Sequence, residues 1–194
     1  MSRLADRSGP EQAGVTLSRA RERRHRIDGL RCDLHLVIPA KRTEPIAGTI
    51  TLAFNLRPSP RPLVVDFAPA GERLRHTKVN GRAIAPAIEN GHIVIDPGSL
   101  ADGANHLTFD FIAGESSLTR RENLAYSLFV PARASHAFPC FDQPDLKARW
   151  RVSLDVAAEW RAVSNAHVAD ESIVDGWRHL TFARTKPLPT YLVA

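Results

Sequence analysis

Four stretches of this chain alternate apolar and polar residues so regularly that each reads as a strand with one dry face and one wet face. In Leu30-Cys32-Leu34-Leu36-Ile38 every even position is apolar, while Arg31, Asp33 and His35 face the other way. The pattern recurs in Ile46-Gly48-Ile50-Leu52-Phe54-Leu56 and in Leu107-Phe109-Phe111. It recurs again in Trp150-Val152-Leu154-Val156, opposite Arg149, Arg151, Ser153 and Asp155. A period of two puts successive side chains on opposite faces, and sheets wet on one side are mainly antiparallel. Asn80-Gly81, Asn90-Gly91, Asp102-Gly103 and Asp175-Gly176 sit between apolar runs, where such pairs favour two-residue hairpins with positive φ. Shorter strands are expected over residues 63–67, 73–79, 92–95, 160–164 and 177–183. No repeat and no strand–helix alternation appears, so the expected fold is all-β: an antiparallel multi-strand sandwich or saddle. At most one short helix is expected, within residues 16–26, with Thr16 or Ser18 as N-cap and Leu17 and Ala20 on one face.

The 194 residues suit one domain with a sizeable core, and two cysteines, Cys32 and Cys140, are too few for a disulfide framework. That points to a reducing compartment, and the polar opening residues lack the apolar core of a signal peptide, so a cytoplasmic location is expected. No apolar run approaches the ~20 residues of a membrane span. The net charge of +5 is uneven: residues 1–26 carry +4 and the remaining residues only +1. A nucleic-acid groove needs basic residues interleaved with aromatics over the folded surface, and none is visible. Residues 1–13 read as a disordered tail, and Arg21-Glu22-Arg23-Arg24-His25-Arg26 as the solvated face of the short helix.

One segment has no period at all. Ala137-Phe138-Pro139-Cys140-Phe141-Asp142-Gln143-Pro144-Asp145-Leu146-Lys147-Ala148 holds two prolines five residues apart, which exclude both helix and central strand. Phe138 and Phe141 bring large apolar surface to a stretch that must also turn, which predicts a buried corner built on Phe138, Pro139, Asp142 and Pro144. Asp142 is expected to be buried and to accept from backbone N–H groups near Pro144 and Asp145. The segment resembles the AFPCFDEPDLKA signature of the aminopeptidase N family of gluzincin zinc metallopeptidases, matching eleven of twelve positions, with Gln143 for the usual Glu. Arg31-Cys32-Asp33-Leu34, Ser164-Asn165 and Lys186-Pro187-Leu188-Pro189-Thr190-Tyr191-Leu192 resemble further strings of that family. The resemblance implies that residues 14–194 form the family's amino-terminal β domain, truncated at its C-terminal end, with the zinc-bearing catalytic domain absent. The chain's halt on apolar Leu192-Val193-Ala194 agrees with that expectation.

A zinc peptidase needs two His one helical turn apart, but His25, His35, His76, His92, His106, His136, His167 and His179 contain no i, i+4 pair. No metal site is expected within the chain, and the resemblance places the zinc ligands in the next domain. Cys140 with His136 could suggest a thiol nucleophile, yet burial between Pro139 and Phe141 would keep that thiol inert. The resemblance implies one contribution to substrate binding. In the family a Gln-x-Glu pair before the corner meets the substrate's first side chain and free amino group, and those positions fall on Leu128 and Val130. Both are apolar and cannot hydrogen-bond an ammonium; Glu122 is a nearby carboxylate. Alternation along Tyr126–Val130 should bury one set of side chains and expose the other.

The expected function is therefore that of a non-catalytic amino-terminal domain. It would cover the active site of a zinc aminopeptidase, meet peptide substrate together with the catalytic domain, and bind neither nucleic acid nor membrane. Alone it is expected to be inactive, and a monomer or weak dimer. The rival readings are a self-standing β-sandwich module that binds protein or carbohydrate, and a Cys/His enzyme complete in this chain.

Overall fold

The computed structural model describes residues 14–121 and 124–194; the tail over residues 1–13 and Glu122 lie outside them. The chain runs through α1 (Leu17–Arg26), β1 (Ile27–Ile38), β2 (Ala47–Leu56), β3 (Leu63–Asp66), α2 (Ala70–Arg73), β4 (Leu74–Val79) and β5 (Arg82–Ile84). It continues with β6 (Ala87–Glu89), β7 (His92–Ile95), β8 (Gly103–Ile112), β9 (Leu118–Arg121) and β10 (Leu124–Ser127). After the corner come β11 (Arg149–Ala157), β12 (Val168–Val174) and β13 (Trp177–Phe182). Eight strands form one sheet in the order β12-β13-β11-β1-β2-β8-β4-β5, while β3-β7-β6 and β10-β9 form two small sheets.

The alternation read in the sequence is the burial pattern of the large sheet. Cys32, Leu34, Leu36, Ile50, Leu52, Phe54, Phe109, Phe111, Trp150 and Phe182 all point into one apolar core, shared with Leu63, Val65, Ile93 and Ile95 of the three-stranded sheet. The opposite face is wet and tied by polar pairs. Thr49 donates to Asp110 at 2.8 Å, and Asp155 sits between His35 at 3.0 Å and His179 at 2.7 Å. Asn80, Asn90 and Asp175 take positive φ, each followed by a positive-φ glycine, and close the β4–β5, β6–β7 and β12–β13 hairpins.

Several details depart from the sequence reading. The large sheet is mixed, because β1 pairs with β11 in parallel from Arg31↔Arg149 to Ile38↔Val156. The chain returns to the free side of β1 only after building β2 to β10 and the corner, a crossover long enough to bring β11 in alongside β1. Residues 160–164 are not a strand; the place beside β13 is taken by β12, which is exposed along its whole length. Asp102-Gly103 closes no hairpin, since the reversal there is made by a 3-10 turn at Pro97–Ser99, capped by Asp96 accepting from the Gly98 N–H at 2.7 Å. A second helix, the single turn α2, joins β3 to β4. Among the described residues no helix after residue 30 exceeds one turn.

Helix α1 lies where it was expected, with Thr16 as N-cap accepting from the Arg19 N–H at 3.3 Å. Its buried face is not the apolar one. Leu17 is 66% exposed, while Arg23 and Arg26 are buried. The basic run is thus only partly a solvated face: Arg21, Arg24 and His25 are exposed, and the two arginines between them are anchors.

Candidate functional site

The corner is held by a buried polar cluster joining distant parts of the chain. Arg23 donates twice to Asp66, Nη1 to Oδ2 at 2.7 Å and Nη2 to Oδ1 at 2.6 Å, and its Nη2 also donates to the Val64 carbonyl at 2.7 Å. Such a fork fits a carboxylate in one plane. His92 Nδ1 lies 2.9 Å from Asp66 Oδ1, and its Nε2 lies 2.8 Å from Arg19 Nη1. The Asp142 N–H donates to Asp66 Oδ2 at 2.9 Å, and Cys140 exchanges two backbone hydrogen bonds with Asp66. Burial alone would raise the Asp66 carboxyl; the His92 contact, the Arg23 charge and the donors around it outweigh burial and bring it down to about 2. The Arg23 guanidinium also stands 5.3 Å from the Phe141 ring centroid.

Phe138, Pro139 and Asp142 are buried as the corner requires, whereas Pro144 is exposed. Phe138 packs edge-on against Phe129 and Trp150, with centroids 5.4 and 5.8 Å away. Asp142 does not bond towards Pro144 and Asp145. Its Oδ2 accepts from the Ser135 N–H at 3.0 Å and its Oδ1 from Thr190 Oγ1 at 2.7 Å. The chain turns back after the 3-10 turn at Ala134–His136, so the nearest unpaired donor lies before the corner rather than after it. Asp142→Ala is expected to cost about 1–3 kcal/mol in urea unfolding by stranding those donors. A change of only a few tenths would mean that Asp142 holds nothing. Cys140 is buried, and burial first, then the Asp142 and Asp66 charges, push its thiol well above the ordinary range. Such a thiol is not a nucleophile at neutral pH.

Leu128 and Val130 lie elsewhere, on the exit loop just past β10 of the β9–β10 hairpin. The alternation is realised there: Leu124, Tyr126, Leu128 and Val130 are 51%, 46%, 55% and 52% exposed, while Phe129 between them is 4% exposed and inserted under Phe138. The result is an outward apolar stripe beside the corner. Two copies burying about 400 Å² of it would gain about 10 kcal/mol gross at ~25 cal/mol/Å², most of which ordering and association costs offset. Light scattering over a concentration series is expected to show weak dimerisation that Leu128→Asp removes. Dimerisation untouched by that substitution would exclude the stripe as the contact.

Cavities of about 340 and 260 Å³ flank His92, one between α1 and the three-stranded sheet, the other beside Asp66, Ser135, His136 and Asp142. Leu128 and Val130 line neither. Among the described residues no group of three or more His, Cys, Asp or Glu side chains is placed to hold a metal ion. Arg23, Asp66 and His92 organise this region, and no local sequence pattern marks them as anchors.

Known proteins share this pattern. The Peptidase M1 N-terminal domain family matches residues 116–192, a span that holds the β9–β10 hairpin, the corner and β11–β13. Human glutamyl aminopeptidase is 29% identical over 192 residues, covering 86% of this chain and 20% of the relative. The chain carries the amino-terminal domain of the M1 aminopeptidase family. Two crystal structures share the fold of this M1 domain. The M1 zinc metallopeptidase from Deinococcus radiodurans superposes with a TM-score of 0.71 at 22% identity, covering 87% of this chain and 41% of that one. Legionella pneumophila aminopeptidase A in complex with aspartic acid superposes at 0.75 with 16% identity, covering 86% and 21%. The M1 domain described here thus spans between about a fifth and two fifths of the length of these relatives.

Proposed function

We propose that this M1 domain covers the active site of a zinc-dependent aminopeptidase and helps select the substrate's amino terminus, with the reaction carried out by an adjoining catalytic domain. The observation that carries the reading is the outward stripe of Leu124, Tyr126, Leu128 and Val130 beside the corner. Leu128 and Val130 within it stand at the positions where the family resemblance implies substrate contact, and the stripe's apolar surface suits burial against a second domain. Among the described residues no group of side chains fits a catalytic zinc, and the family resemblance assigns the metal to the adjoining domain, where it would activate water and polarise the scissile carbonyl. The partners are that domain and a peptide; two free, buried cysteines support a cytoplasmic setting.

The test compares the 194-residue chain with the same domain joined to the natural sequence that follows it. The joined protein is expected to hold one zinc per chain and to release the aniline from an aminoacyl anilide, and the 194-residue chain to do neither. Tight stoichiometric zinc in the 194-residue chain after dialysis, or hydrolysis lost when one of its histidines is replaced, would refute the assignment. Absence of zinc and hydrolysis in both would favour a binding module instead.

A further inference from the structure

The β9–β10 hairpin is a two-stranded sheet hydrogen-bonded to no third strand. Such a hairpin is marginal in water and holds its place only if its inner face is anchored. Facing inward it presents Arg120 opposite Ala125, and half-buried Leu118, packed against the core, opposite half-buried Ser127, a small apolar surface for a free hairpin. Phe129, just past its end, is the buried apolar side chain among the described residues 118–130. Arg120 is itself 8% exposed and finds a cage of carbonyl oxygens rather than a carboxylate. Its Nη2 donates to Pro39 at 2.6 Å and Lys41 at 3.0 Å, and its Nη1 to Glu44 at 2.7 Å and Arg42 at 3.5 Å. These four carbonyls belong to the loop between β1 and β2, so one guanidinium fastens the hairpin to the central strands of the large sheet. The planar fork can meet several acceptors at once, which a lysine ammonium on a flexible stem does less well.

We propose that Arg120 is a positioning residue for substrate: it sets the depth of the β9–β10 hairpin, and through it the height at which Leu128 and Val130 meet the peptide's first residue. This rests on the reading that Leu128 and Val130 face substrate. Loss of the fork leaves the carbonyl cage unfilled and frees the hairpin to move, while the core strands keep their own ladders. A shift near 1 Å at a substrate-positioning surface is enough to cost an order of magnitude or more in productive binding.

The experiment uses the domain joined to its catalytic domain, with an aminoacyl anilide as probe. Arg120→Met is expected to raise KM about tenfold while kcat stays within about twofold, and Arg120→Lys to recover part of the loss. In a Leu128→Gly, Val130→Gly background Arg120→Met should add less than about twofold, because the surface it positions is gone. Hydrogen exchange should quicken at residues 124–128 and stay unchanged in β1, β2 and β8; Arg120→Lys serves for this measurement if Arg120→Met does not fold. An unchanged KM, or a KM effect of the same size in the Gly background, would overturn the proposal and leave Arg120 merely structural. If Leu128→Gly and Val130→Gly themselves leave KM unchanged, the substrate-facing reading fails, and the role of Arg120 falls with it.

Discussion

Replacing Asp66 by Ala is expected to cost about 3–5 kcal/mol of stability, the loss typical when one partner is removed from a buried ion pair. The Arg23 guanidinium, 2% exposed, would keep the Val64 carbonyl and the Phe141 ring but no anion, and the Asp142 N–H and His92 would lose their shared acceptor. Asp66→Asn should cost nearly as much, because it keeps the shape and still leaves the Arg23 charge buried without its anion. The acid limb follows from the same pair. The Asp66 carboxyl sits at about 2 when folded against an ordinary value of 3.8. A carboxyl held below its unfolded value stabilises the fold fully above about pH 4, and that contribution disappears as pH falls through about 2. Its size is about 2 kcal/mol at neutral pH. Urea midpoints measured from pH 6 to pH 2 should fall more steeply for the wild type than for Asp66→Asn. Parallel curves, or an Asp66→Ala loss below about 1 kcal/mol, would contradict the account of this cluster.

Gly114→Ala should be at least as damaging, at about 3 kcal/mol or more, the upper end of overpacking. A Cβ on Gly114 would stand 1.8 Å from the His136 carbonyl oxygen and 3.0 Å from its carbon. Both are backbone atoms, and the Gly114 N–H donates to the next carbonyl along, that of Ala137, at 3.2 Å. The added methyl therefore pushes the whole approach to the corner away from the end of β8. Gly48→Ala is the useful comparison: its Cβ meets Phe111 Cζ at 2.5 Å and Leu36 Cδ2 at 2.9 Å, side-chain atoms that can give way at a cost of about 1–3 kcal/mol. Denaturant unfolding should rank Gly114→Ala below Gly48→Ala in stability. Loss of less than about 0.5 kcal/mol at Gly114 would mean that the corner yields freely.

The four alternating strands and three of the four turn pairs were legible because burial on one face and positive φ each impose a residue type locally. Strand β12 was not, since Val168-Ala169-Asp170-Glu171-Ser172-Ile173-Val174 is exposed on both faces and burial imposes no period on it. Trp160-Arg161-Ala162-Val163-Ser164 has strand-like composition but no neighbouring strand to pair with. The parallel join of β1 to β11 leaves no local mark, as it is decided by where the corner delivers the chain. The anchors were hidden for another reason. Arg23 and Arg26 sit in a basic run whose other members are solvated, and Asp66, the partner of Arg23, is 43 positions away. Arg120 pairs with carbonyls, which every residue has. The stripe at Leu128 and Val130 was readable as alternation, but its meaning came from the family resemblance.

The part this domain plays in substrate selection depends on whether that stripe faces substrate. The direct measurement is kcat/KM for an aminoacyl anilide in the domain joined to its catalytic domain, comparing wild type with Leu128→Asp, Val130→Asp. Both side chains are half exposed on the domain itself, so its own fold should tolerate the change, and they lie outside the zinc site, so zinc content should not move. The predicted result is a fall of about tenfold or more in kcat/KM with an unchanged melting temperature. Equal kcat/KM in the two proteins would show that this face of the domain meets neither peptide nor active site.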